Sequence, residues 1–143
     1  MKLNKSRIKS IVDSRARRSQ SEIDKFKSEA EKSLGYALNW YGESVLEEIN
    51  VLSILRPFTN LIAEEDYTVD DLIRISEKVK KDGMYFFKNG GFKANSTSAM
   101  SNLNNVALGK AYGKLFEMIE YMEEELSQEE KIEEFNAKTK KVK

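Results

Sequence analysis

One proline, Pro57, and seven glycines are the only strong chain breakers in 143 residues. Long helices follow from that scarcity, because few positions lack an N–H or have a free φ. The apolar residues agree. Ile23, Phe26, Ala30, Leu34, Ala37, Leu38, Tyr41, Val45, Ile49, Leu52 and Leu55 recur at helical spacing and share one sector of a helical wheel. Asp24, Lys25, Lys32, Asn39 and Glu43 lie largely opposite. The spacing predicts an amphipathic helix that opens at Ser19, which stands three residues before Glu22 as in a capping box. Its expected end is Arg56, before Pro57. Gly35 and Gly42, seven apart and on one face, point to close approach of a neighbouring helix, with a break at either glycine as the rival reading. Leu46, Val51 and Ile54 fall outside the stripe, so the last third should be buried on more than one side. Trp40 sits about 100° from Tyr41 on the wheel and is expected to close an interface with the third or last helix.

Residues 57–67 read as a short connection with Phe58, Leu61 and Ile62 tucked in. Thr68 with Asp71 then has the spacing of a helix start, and Val69, Leu72, Ile75 and Val79 repeat at helical intervals. Phe86 and Phe87 stay on that stripe if the helix passes through Gly83, so it is expected to reach about Lys88. A β-hairpin turning at Asn89-Gly90-Gly91 is the competitor, and the marginal stability of a lone hairpin counts against it. Residues 89–98 form a loop. The last long helix begins near Thr97 or Ser98, with an apolar face that includes Ala107, Ala111, Leu115, Met118, Ile119 and Met122 and with Glu117, Glu120 and Glu124 away from it. Ser127 is expected to recap a final polar helix to about Asn136. The fold class is therefore all-α: an irregular bundle of four to five helices, two of them long. A helical domain over 19–136 lies between a basic N-terminal arm (1–18) and a Lys-rich tail (137–143).

Charge is balanced in total and segregated along the chain. There are 24 basic and 24 acidic residues, yet residues 1–20 carry seven Lys or Arg against one Asp, and residues 117–134 carry nine Glu against one Lys. Such polarity suits a polyanion, a basic partner, or contact between the two ends. On the wheel the basic residues of the arm fall all the way round, and Ile8, Ile11 and Val12 share their sector with Lys5 and Arg15. With no dry face to pack, the arm is expected to be mobile or marginally helical until a polyanion orders it.

The chain has no Cys and no His. Disulfides, thiol nucleophiles, zinc fingers, iron–sulfur ligation and Ser-His machinery are excluded with them. No run of 18 apolar residues suggests a membrane span, and no apolar stretch after Arg7 suggests a signal peptide. A cytoplasmic protein without cofactor is the expectation. General acid–base chemistry would need a tuned Glu, Asp, Lys or Tyr pair, and nothing marks one, so an enzyme is not expected. The Glu-rich stretch lacks both the E-x-x-H pairs of di-metal bundles and the EF-hand pattern, and reads as a solvated face. Gly109 and Gly113, four apart, read as a close helix crossing within the chain or across a dimer axis. The loop from Lys88 to Lys93 brings two Gly, flanking Lys and the aromatics Tyr85, Phe86 and Phe87 together, without P-loop spacing; a helix connector is the plainer reading.

The favoured function is a non-catalytic binding protein that contacts nucleic acid or a nucleoprotein through Lys5, Arg7, Lys9, Arg15, Arg17 and Arg18, with Lys88 and Lys93 as further contacts. The alternative is a protein-interaction module. It would be either a self-associating bundle or an inhibitor or adaptor, of phage or mobile-element type, docking on a larger nucleic-acid-targeting machine. Eighteen Lys against six Arg agrees with an AT-rich bacterial or phage genome.

Overall fold

A computed structural model describes residues 3–88 and 99–141, with side chains over 3–84 and 103–127. Four helices account for the architecture: α1 (Lys5–Lys32), α2 (Leu34–Ile62), α3 (Val69–Lys88) and α4 (Ala99–Lys141). No strand occurs among the described residues. The all-α bundle expected from the periodicity is present, with three long helices and one of 20 residues.

The segment expected to be a mobile arm is instead the first half of α1. Asn4 caps it, its Oδ1 accepting from the Arg7 N–H at 3.2 Å. Ile8 and Val12 are fully buried in the main core. Both share their face with Lys5 and Arg15, as the wheel indicated, but each cation finds a partner on that face. Lys5 lies over the Tyr67 ring, 4.5 Å from its centroid, and Arg15 meets the Glu48 carboxylate at 3.3 Å. Charge on the inner face is tolerated because another part of the chain neutralises it or leaves it an outlet at the rim.

No helix begins at Ser19. That residue is buried in mid-helix and its hydroxyl donates to Glu48 Oε2 at 2.5 Å. The true joint is Ser33, one residue in extended conformation (φ −159°, ψ 109°) that ends α1 and starts α2. Its N–H donates to the Glu29 carbonyl at 3.0 Å and its Oγ accepts from the Tyr36 N–H at 3.3 Å, so one residue caps both helices. The two helices then run antiparallel, as the contacts of Ser19 with Glu48 and Lys25 with Tyr41 require.

Pro57 does not end α2, which continues to Ile62. Ser53, whose carbonyl loses its donor to proline, and Pro57 itself both lie on the exposed side, where water can replace the bond. Phe58 and Leu61, just beyond, are buried as expected and hold the last turn in place. Thr68 and Asp71 form a reciprocal cap for α3: Asp71 N–H donates to Thr68 Oγ1 at 3.2 Å, and Thr68 N–H to Asp71 Oδ2 at 3.0 Å. α3 passes through Gly83 to Lys88, and α4 runs unbroken past Ser127 to Lys141, with no recapped final helix. The Lys-rich tail is thus helical up to Lys141. The loop 89–98 lies outside the described residues.

One core unites all four helices. Val51, Leu55 and Phe58 from α2 meet Leu72 and Val79 from α3 and Ala111, Leu115, Met118, Ile119 and Met122 from α4, with Ile8 and Val12 from α1.

The glycines divide in use. A Cβ on Gly83 would run into the Phe116 ring, and would stand 2.9 Å from Tyr112 Cδ1, so α3 and α4 touch closely there. Gly35, Gly109 and Gly113 would meet nothing within 4 Å, and Gly42 only Leu38 of its own helix. The close crossings within the chain expected at those four positions are therefore absent among the described residues. Gly109→Ala and Gly113→Ala should each stabilise the protein by about 1 kcal/mol, the ordinary helix-interior difference. Gly83→Ala should destabilise it, because overpacking costs about 1–3 kcal/mol. Urea midpoints check the opposite signs.

Candidate functional site

Three helices converge on a buried ionic cluster. Glu48 of α2 is nearly inaccessible, yet three groups surround its carboxylate. Ser19 and Arg15 approach Oε2 at 2.5 and 3.3 Å, and Lys114 of α4 donates to Oε1. Lys114 also pairs with Glu47 at 2.9 Å, and one helical turn earlier Lys110 pairs with Glu43. Burial alone would raise the Glu48 pKa. Hydrogen bonds from Lys114 and Ser19, with the charges of Lys114 and Arg15, outweigh burial and hold it below the ordinary carboxylate value. Burial likewise tends to lower Lys114, and its bonds to Glu48 and Glu47 raise it above the ordinary lysine value.

These opposed directions bracket the pH range of stability. A carboxyl depressed on folding stabilises above its unfolded pKa, and that contribution disappears as pH falls through the folded value. A raised lysine stabilises below its unfolded pKa, and its contribution disappears as pH rises through the folded value. Stability should therefore fall below about pH 4 and again above about pH 10.5. Urea midpoints of the native protein and Glu48→Gln, taken across the acid limb, check the first part. The native midpoint should drop more steeply, whereas parallel curves would assign the acid limb to other carboxyls.

The sequence-derived polyanion residues do not form one free surface. Arg7 bonds Glu125 of α4 at 2.8 Å, so the basic start and the acidic end do meet. Lys9 pairs with Asp13 at 3.5 Å, and Arg15 belongs to the buried cluster. Lys5 donates to the Glu65 carbonyl beside Tyr67. Among the described residues Arg17 reaches only the Asp13 carbonyl, at 3.4 Å, and it remains exposed. Arg18 is exposed and has no ion pair among the described residues. Lys88 closes α3, its side chain outside the described set, and Lys93 lies in the segment that is not described. Among the six whose side chains are described, then, only Arg17 and Arg18 are placed side by side with charge to spare.

The pattern reading missed a different surface. The first turns of α2 carry Leu34 and Leu38 on one flank of buried Ala37 and Tyr36 and Trp40 on the other, and all four are exposed. Trp40 is 67% exposed, and its aromatic neighbour among the described residues is Tyr36, with centroids 6.2 Å apart. The interface expected for Trp40 with the third or last helix is not formed among the described residues. Tyr36 also stands edge-on to Tyr41 at 6.4 Å. Apolar residues on every side of a helix usually mean burial on every side, and here the chain itself covers only the Ala37 side.

No three-residue group of Asp or Glu among the described residues is arranged to hold a metal ion. No described helix is long and apolar enough to cross a membrane. Compared with known families, with curated proteins and with solved structures, the chain matches none.

Proposed function

We propose that the protein is a non-catalytic protein-interaction module that docks through the start of α2. The observation that carries this reading is the exposure of Leu34, Tyr36, Leu38 and Trp40 on both flanks of one helix. Exposed large apolar side chains, aromatic ones above all, are what protein contact surfaces use. Residues 22–32 of α1, which lead into this joint, carry three Lys and four acidic residues. Such mixed charge does not gather phosphates, so an apolar protein surface fits the site better than a nucleic acid. A second copy of the chain is one partner of that kind, and a larger machine on which the module acts as inhibitor or adaptor is another.

The nucleic-acid reading keeps one specific support, the exposed Arg17–Arg18 pair. The test separates the two. The purified chain, native and as Leu38→Lys with Trp40→Ser, is used to capture partners from its host with and without nuclease. A stoichiometric protein retained after nuclease and lost with the α2 variant supports the proposal. Capture that disappears with nuclease, or with Arg17→Ala and Arg18→Ala only, overturns it. Trp40 is the single tryptophan, so a blue-shifted emission on mixing with the isolated partner, or on raising the protein's own concentration, reports burial at this face directly.

A further inference from the structure

We infer that a cleft between α1 and α4 is a binding site for a small monocarboxylate with an apolar body. The cleft has a volume of about 280 Å³, at the lower edge of the roughly 300–1,000 Å³ usual for small-molecule sites. It is independent of the α2 surface. Arg7 pairs with Glu125, and Arg15 and Lys114 share Glu48, so α1 and α4 pass each other antiparallel with the cleft between those two tie points.

Its chemistry is uneven along its length. Ile11 and Met118 supply an apolar floor, and the Ser14 and Tyr121 side chains line its walls. Arg15 and Lys114 border it together with Arg18. The charges of Arg15 and Lys114 are matched by Glu48 and Glu47. Arg18 has no carboxylate partner among the described residues, and the buried Arg15 Nε–H has no acceptor. The Arg18 guanidinium, whose charge no described carboxylate matches, therefore stands beside an apolar floor. A guanidinium suits a carboxylate, which it can grip with two parallel bonds. Glu117 lines the same cleft and repels a second negative charge. That limits the ligand to a monoanion and disfavours phosphates. The volume limits its body to a short aliphatic chain or one ring.

Hexanoate is the probe, titrated into the full-length protein and followed by amide chemical shifts. Saturable changes centred on Ile11, Ser14, Lys114 and Met118 are expected. Arg18→Ala should weaken binding about tenfold or more, and Ser14→Leu should abolish it by filling the cleft. Arg18 and Ser14 are both exposed helix positions, so the amide spectrum of each variant should stay that of the folded protein. Hexanol, which lacks the charge, and inorganic phosphate, which lacks the body, should not saturate. Shifts that never saturate, equal affinity in Arg18→Ala, or equal response to hexanol or phosphate would each overturn the assignment.

Discussion

Glu48→Ala is expected to destabilise the fold by about 3–5 kcal/mol, the usual consequence of removing one partner from a buried ionic cluster. The carboxylate holds Arg15, Ser19 and Lys114 at once, and so ties α1 and α4 to α2. Without it Arg15, whose side chain is 12% exposed, keeps a charge in a nearly dry setting with no counter-ion. Ser19, fully buried, is left to Arg15 Nη2, 3.4 Å away. Lys114 suffers less, because Glu47 remains beside it and its side chain reaches water. Arg15→Ala should cost less than Glu48→Ala, and the double variant should fall short of the two losses added, since the second deletion removes what the first stranded. Chemical denaturation of the four proteins measures the cycle. Additive losses would mean the groups do not act together.

Val12→Asp should cost about 4 kcal/mol or more, because it places an unpaired carboxylate in the core. Val12 is completely buried, in a cluster that includes Ile8, Leu115 and Phe58. Two positions away, Ser10 and Ser14 are exposed at the cleft on the same helix, and Asp at either should be close to neutral. The contrast within five residues is what a folded α1 requires. In a mobile arm all three substitutions would be equally harmless. Circular dichroism melts of the three variants read the difference.

Elements set by local pattern were legible in the sequence. α3 was readable from its apolar repeat and from the Thr68–Asp71 cap, and the buried face of α4 from the spacing of Ala111, Leu115, Met118 and Met122. These features depend on residues three and four apart, which a wheel records. The departures have long-range or single-residue causes. Arg15 reads as an obstacle to packing because its counter-ion, Glu48, is 33 residues away. Ser19 and Glu22 have capping-box spacing, but the Ser19 hydroxyl has a buried carboxylate as acceptor and no helix end to serve. The joint at Ser33 carries no acidic residue three positions on, so the available signal was only a Ser with Gly35 close behind it. Pro57 misleads because a proline on the outward side of a helix strands one carbonyl that water can satisfy.

The candidate surfaces were legible to a smaller degree, for the same reason. Basic residues can be counted in a sequence, but their carboxylate partners on other helices cannot. The stripe from Ile23 to Leu55 has the period of a single helix, and that period hides the exposed flanks at the start of α2. A continuous helix lays Leu34 and Leu38 along its buried face, whereas the turn at Ser33 starts a new helix with its own orientation.

Amide hydrogen exchange over residues 8–20 tests the central claim most directly, namely that the basic N-terminal segment is a core helix whose charges are largely matched within the fold. Protection at Val12 and Ser19 equal to that at Leu55 and Leu115, and independent of added nucleic acid, is the predicted result. Exchange as fast as in an unstructured chain, slowed only when a polyanion is added, would contradict it.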